Sequence, residues 1–253
     1  MHSQITPLIL TCNEAPNLER TLLRLTWAAR IIVVDSFSTD VTADICKKFP
    51  QVEFLQRKFD DHTSQWNFAL DKIKTEWVLT LDADYVLSEE LVAELQRWQP
   101  TADAYAARFV YCVHGHRLRG SLYPPRIVLF RPKNCRYVQD GHTQKLKVDG
   151  VTRELTATID HADRKPLSHW LWAQDRYAAL EVQKLLAHRT EDLPMQDRLR
   201  RMIVPAPFVV FFYTLLVKGL ILEGWPGWYY VLQRTLAEII LSLRLIEAKL
   251  KRD

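Results

Sequence analysis

Two aspartates stand one residue apart in Asp82-Ala83-Asp84, directly after the apolar run WVLTL. Carboxylates at that spacing can hold a hard divalent cation through oxygen ligands, and such a cation can neutralise a diphosphate. An acidic pair alone is as readily a solvated turn, so its meaning depends on its surroundings. Two other apolar runs also end in polar residues. One closes on Leu10-Thr11-Cys12-Asn13-Glu14, the other on Val34-Asp35-Ser36-Phe37-Ser38-Thr39-Asp40. The segment ahead of the acidic pair carries Gln65-Trp66-Asn67-Phe68-Ala69-Leu70. One polar strand end is commonly a helix cap. Three that open on the same edge of a sheet suggest a nucleotide pocket.

The elements that must hold these residues follow from the hydrophobic spacing. Residues 5–11, 31–35, 52–55 and 77–81 are apolar runs of strand length. Helical patterns lie between them: 17–29, with leucines at 18, 22, 23 and 25; 41–49, with Asp40 as N-cap; and 63–73. A fourth, 89–98, has Ser88 as N-cap and Glu89 and Glu90 in its first turn. Alternation of this kind predicts an α/β, Rossmann-like, mostly parallel sheet flanked by helices. Short β-like runs at 104–113, 127–130, 143–148 and 155–159 extend the sheet, and 165–188 is again helical.

TCNE, VVDSFSTD, QWNFAL and LDAD, in this order, resemble an inverting family-two glycosyltransferase with the GT-A fold. The likeness is specific over about the first ninety residues and continues more weakly through LYPPRIVLFRP and DGHTQKL. The later part is similar to bacterial enzymes of the lipopolysaccharide-core glucosyltransferase type. The resemblance implies a nucleotide-sugar donor, UDP-linked, a divalent cation (Mg2+ or Mn2+) and a single displacement at the anomeric carbon. It implies that Thr11, Asn13 and Glu14 border the nucleoside and that Asp35 hydrogen-bonds the base. Asn67 joins the donor set, Asp82 faces the ribose or the metal shell, and Asp84 is the direct metal ligand. Two positions depart from the family pattern: Cys12 stands where an aromatic residue is common, and Tyr85 where an acid often follows the pair.

An inverting transfer needs a carboxylate to take the acceptor hydroxyl proton. Asp140 in Asp140-Gly141-His142-Thr143 is the candidate base, with His142 toward metal or diphosphate, although Asp-Gly is equally a hairpin-turn dipeptide. Relatives often have a His-Glu pair here, and this chain has His142-Thr143. Gln174-Asp175-Arg176-Tyr177 is similar to the Gln-x-x-Arg-Trp motif of processive relatives with altered spacing. Arg176 is either a diphosphate contact or a surface arginine on an amphipathic helix. His114, His116 and Arg119 line the acceptor side or face solvent; His161 and Asp163 read as loop residues.

The end of the chain differs in character. APFVVFFYTLLV (206–217) carries no charge, and 203–222 approaches the length of a bilayer span, but Pro205, Pro207 and Lys218 interrupt it. GWPGWYY follows, then an amphipathic pattern with apolar residues at 228, 232, 236, 239, 243, 246 and 250 and a basic end at Lys249, Lys251 and Arg252. These features predict a GT-A domain over 1–190 and a helical, membrane-interfacial tail over 191–253, against the alternative of a buried core helix. A net charge of +4 in 253 residues is too small to imply nucleic acid. Cys12, Cys46, Cys112 and Cys135 form no CxxC pair, which argues for a reducing compartment, and MHSQITPLIL lacks the pattern of a signal peptide. The expected activity is sugar transfer to a glycan or lipid-linked acceptor at the cytoplasmic face of the inner membrane. A polyprenyl-phosphate sugar synthase, or a non-catalytic membrane scaffold that kept the fold, are the alternatives.

Overall fold

The computed structural model describes residues 4–140 and 143–251. The chain divides into two compact units. The first takes in the chain as far as Gly115, with Tyr123–Gln139 and Gln144–Arg164. The second takes in His116–Leu122 and the chain from Lys165 onward.

The first unit is built on a mixed sheet. Strands β1 (Ile5–Thr11), β2 (Ile31–Asp35), β3 (Val52–Gln56) and β4 (Trp77–Asp82) are parallel, with β1 between β2 and β4. β1 and β2 are apolar along nearly their whole length because both faces are covered, as parallel central strands require. One face packs Ile9, Val33, Leu79 and Leu81 against Leu18, Leu22 and Leu91 of helices α1 (Leu18–Leu23) and α4 (Glu89–Gln96). The other packs Leu8, Ile32, Val34 and Val78 against Trp66 of α3 (His62–Leu70) and against Tyr137.

Beyond β4 the sheet turns mixed. Strand β8 (Arg126–Phe130) is antiparallel to β4 and to β6 (Ala104–Val113), and β6 pairs in parallel with the long β11 (Thr152–His161). The short β5 (Tyr85–Leu87) follows the acidic pair and closes the order β3-β2-β1-β4-β8-β6-β11-β5. Strands β9 (Cys135–Asp140) and β10 (Thr143–Val148) form a separate pair, and β7 is the short His116–Arg117.

Several expected boundaries move. α1 stops at Leu23, where turns carry the chain through Trp27, whose Nε1 donates to the Arg24 carbonyl at 3.0 Å. α2 (Thr42–Lys47) has Val41, not Asp40, in the N-cap position, yet Asp40 Oδ1 still accepts from the Thr42 amide at 3.0 Å. Ser88 caps α4 as expected, accepting from the Leu91 amide at 3.1 Å.

The second unit is helical. α5 (Leu167–Ala187), α6 (Met195–Arg201), α7 (Pro205–Phe212) and α8 (Gly224–Leu250) bury Val182, Leu185, Ile203, Leu241 and Leu245 together. α5, which the sequence reading assigned to the first domain, thus packs with the helices that follow it. GWPGWYY lies inside α8, and its aromatics split: Trp225 is exposed while Tyr230 is buried, accepting from the Leu122 amide at 2.7 Å. A Cβ at Gly227 would run into the Leu220 carbonyl oxygen, so glycine allows the turn before α8 to close on it. The apolar stripe read from the sequence is the exposed face of α8: Leu232, Leu236, Ile239, Leu243, Ile246 and Leu250 all face outward. Among the described residues no single helix is long and apolar enough to cross a membrane. The segments Pro205–Val217 and Leu220–Leu250 pass that test only as a pair bent by 68°.

A buried ionic cluster joins these helices. Arg200 binds Glu238 at 2.8 Å and Asp197 at 3.2 Å, and Lys184 lies 3.4 Å from Asp197 and 3.6 Å from Glu181. All three carboxylates are buried, so removing their main cation leaves uncompensated charge in a dry site. Arg200→Met is expected to lower the stability of this unit by roughly 3 kcal/mol, read as faster amide hydrogen exchange along α8. Unchanged exchange there would contradict the structural role of the cluster.

Candidate active site

The parallel strands end on one edge, and their register decides which polar residues meet. Thr11 is paired with Asp35, and Leu10 with Asp82. The acidic pair therefore stands beside the end of β1, as the sequence pattern implied.

Asp35 is completely buried and its carboxylate is saturated. It accepts from Thr11 Oγ1 at 3.0 Å, from the Ser38 amide at 2.8 Å, from Ser38 Oγ and from Gln56 Nε2 at 3.3 Å. A carboxylate has about four lone-pair directions, so a base could bond here only by replacing one of these donors. Asp35 acts in this structure as the organiser of the loop behind β2. That loop is stitched to the one after β1. The Asn13 amide donates to Ser38 Oγ at 2.7 Å, Asn13 Oδ1 accepts from the Thr39 amide at 2.8 Å, and the Glu14 amide donates to Thr42 Oγ1 at 2.9 Å. Asn13 takes a left-handed backbone, φ +55°, that asparagine tolerates better than most residues. Phe37, at φ +58°, is bulky for that region, and its side chain is exposed on the same loop.

Asp84 is brought to a residue that the sequence pattern placed in a loop. β5 runs antiparallel to the end of β11 with Tyr85 opposite His161, and the Ala162 amide donates to the Asp84 carbonyl at 3.0 Å. His161 Nε2 then lies 3.0 Å from Asp84 Oδ2, with both side chains largely enclosed. Three rings surround the imidazole, those of Tyr123, Tyr111 and Tyr85, at centroid separations of 4.5, 4.9 and 5.3 Å. The hydroxyls of Tyr85 and Tyr123 touch. Burial, reinforced by Asp82, pushes both phenols well above their ordinary range, so they remain neutral hydrogen-bonding groups at physiological pH.

A third connection runs through Asn17, also unsuspected from sequence. Its fully buried amide donates to Glu14 Oε2 at 2.9 Å and to Asp163 Oδ1 at 2.8 Å. Its oxygen accepts from Arg20 Nη2 at 3.0 Å and from the Arg164 amide at 2.8 Å. The β1–α1 loop is thereby tied to the chain leaving β11. His161 and Asp163, read as loop residues, belong to this constellation.

Other expected residues stand elsewhere. Asn67 uses both amide atoms on Tyr137, donating to its carbonyl and accepting from its amide at 3.0 Å each. It anchors β9 and is not turned toward the strand ends. Arg176 is exposed on α5 in the second unit, with its guanidinium carbon 4.6 Å from the Trp172 ring centroid. The side chain of Asp140, and His142 altogether, lie outside the described residues.

A divalent cation fits the donor chemistry at Asp84 and His161. An oxygen and a nitrogen donor face each other there, and His161 Nδ1 is buried with no hydrogen-bond partner among the described residues. No group of three His, Cys, Asp or Glu ligands occurs among the described residues.

With this geometry in place, the comparisons are decisive on family. The profile described as Glycosyl transferase family 2 matches residues 8–146, more than half of the chain. The chain belongs to glycosyl transferase family 2. Among curated relatives, an uncharacterized glycosyltransferase of Rickettsia bellii is 35% identical over 94 residues, covering 37% of this chain and 32% of the relative. Glycosyltransferase SunS of Bacillus subtilis is 29% identical over 161 residues, 62% of this chain and 36% of the relative. This chain thus spans about a third of the length of those two. The lipopolysaccharide core biosynthesis glycosyltransferase LpsC of Rhizobium meliloti is 26% identical over 194 residues, 70% of each protein. Among solved structures, S. aureus TarS 1-349 in complex with UDP-GlcNAc superposes with a TM-score of 0.52 at 15% identity, covering 98% of this chain and 92% of that one. The family 2 fold is therefore GT-A, as the sequence motifs implied.

The thiols supply a readout of this edge. Burial pushes Cys46 up to about 12 and Cys135 up to about 11, so both stay protonated and unreactive near pH 8. Cys112 is buried as well, whereas Cys12 is exposed at the end of β1. Mild alkylation of the folded protein is expected to modify Cys12 first, ahead of Cys46, Cys112 and Cys135. Equal labelling of all four thiols in the folded protein would contradict this burial pattern.

Proposed function

We propose that this family 2 protein transfers a sugar, with inversion, from a UDP-linked donor to a hydroxyl of a glycan or lipid-linked acceptor. The observation that carries the reading is the Asp84–His161 pair at the strand-end edge, with Asp84 inside the family 2 segment and His161 beyond its end. In the transfer, the acceptor oxygen bonds to the anomeric carbon while the bond from that carbon to the β-phosphate oxygen breaks. The electron pair leaves on the diphosphate, and the hydroxyl proton passes to a base. Asp140 is the proposed base, and His142 stands beside it in sequence. Asp84 and His161 would hold Mg2+ or Mn2+, which supplies Lewis-acid neutralisation of the diphosphate. Asp82, the last residue of β4, faces the donor, and the loops locked by Asp35 and Asn13 border the nucleoside. The naming of LpsC for lipopolysaccharide core biosynthesis and the UDP-GlcNAc bound to TarS support this choice of acceptor and donor class.

Asp84→Asn removes the ligand charge and keeps the size. Turnover with Mg2+ or Mn2+ is expected to fall at least about 100-fold with the thermal midpoint little changed. Near wild-type turnover in this variant would remove the metal assignment.

The second unit is proposed to bind the cytoplasmic face of the inner membrane. Leu222 and Trp225 are 82% and 86% exposed at the turn into α8, and Phe208, Phe212, Leu216 and Val217 are exposed before it. Exposed apolar side chains of this size favour an interface, and Lys249 and Lys251 add attraction to anionic headgroups. The full chain is expected to float with vesicles of phosphatidylethanolamine and phosphatidylglycerol and to resist release by salt, because the apolar contribution is unscreened. Leu222→Glu combined with Trp225→Glu should leave it in the soluble fraction. Equal flotation of wild type and double variant, or none by wild type, would contradict this reading.

A further inference from the structure

Arg126 is a guanidinium placed among the site residues with no hydrogen-bonded or ion-paired acceptor among the described residues. It begins β8 and is half-buried. β8 runs antiparallel to β4, with Val78 opposite Phe130 and Leu79 opposite Leu129, and Thr80 Oγ1 donates to the Val128 carbonyl at 3.2 Å. The β4–β8 ladder ends at the Leu79–Leu129 pair, β8 bulges at Val128, and Arg126 lies beyond, within electrostatic reach of Asp82. Its guanidinium carbon lies 5.0 Å from the centroid of the Tyr123 ring, and that ring also packs on His161, 4.5 Å between centroids. Asp84, His161, Tyr123 and Arg126 thus follow one another across the strand ends, with Asp82 beside Arg126.

The neighbouring Arg20 is already engaged, donating to Asn17 and to the Ala162 carbonyl at 2.8 Å. Arg126 has no ion pair and no side-chain hydrogen bond among the described residues. Asp82 and the phenols of Tyr123 and Tyr85 lie near enough to interact with it electrostatically. A half-buried guanidinium presents a planar fork of five N–H groups that matches phosphate oxygens.

We propose that Arg126 is a catalytic residue that binds the β-phosphate of the nucleotide-sugar and neutralises the charge that develops on the departing diphosphate. The assignment rests on the donor reading given above. As the bond between the anomeric carbon and the β-phosphate oxygen breaks, the electron pair settles on that oxygen, and Arg126 donates to the diphosphate without giving up a proton. The contact with the Tyr123 ring restrains the guanidinium beside the strand ends before the donor substrate arrives.

The test compares UDP with UMP, which differ by the β-phosphate, by calorimetric titration with Mg2+ into wild type, Arg126→Met and Arg126→Lys. In Arg126→Met, UDP is expected to weaken roughly 10- to 100-fold while UMP weakens no more than about threefold. Arg126→Lys keeps the charge without the fork and should recover part of the UDP affinity. Equal losses for UDP and UMP, or no loss for either, would overturn the assignment. Failure of the wild-type protein to bind UDP would instead overturn the donor reading on which it rests. Should Arg126→Met fail to fold, the UDP-to-UMP ratio of Arg126→Lys decides alone: a ratio lowered from wild type supports the assignment, and an unchanged one rejects it.

Discussion

Three residues of strand pairing make a site out of separate polar ends. β5 follows the acidic pair directly and can pair only with what lies at that edge, the last residues of β11. The antiparallel register sets Tyr85 against His161 and so puts an imidazole on Asp84 from 77 positions along the chain. A slip of one residue would turn His161 to the other face of the sheet and leave Asp84 without its partner. Register there is pinned by the apolar alternation of β5, whose Tyr85 and Leu87 are buried while Val86 between them is less so.

The rest of the architecture serves that edge. Parallel β1, β2 and β4 deliver their C-terminal ends together, and the buried Asp35 carboxylate converts two loops into one hydrogen-bonded frame. Asn17 does the same between the first loop and the residues after β11. Each device satisfies a buried polar group by tying down a segment distant in sequence. Preorganisation of the donor-facing backbone and burial of polar residues are here the same fact.

The core of the sheet was legible because its signal is local. The bounds of β1, β2 and β6 coincide with apolar runs in the sequence, and the acidic pair stands at the strand end where the pattern implied. What was not legible depends on long-range pairing. His161 looked like a loop residue because the visible run stopped at Ile159, whereas pairing with β5 and β6 carries β11 to it. Asn67 and Asp35 looked like ligand contacts because polar residues beside strand ends invite that reading, yet backbone groups and loop hydroxyls occupy them. On α8 the hydrophobic stripe was visible, but which of two apolar faces is covered depends on tertiary packing. The helix buries Val231, Leu241 and Leu245 and leaves the other stripe outward.

The central claim is that Asp84 and His161 together hold a divalent cation facing the donor diphosphate. Nuclear magnetic resonance of protein labelled with 15N-histidine tests it directly, with UDP present and Mn2+ added at low stoichiometry against a Mg2+ control. The account predicts that the His161 imidazole signal is selectively broadened by Mn2+, and that Asp84→Asn abolishes the effect. A His161 signal unchanged by Mn2+ in the UDP-bound wild-type protein would contradict it.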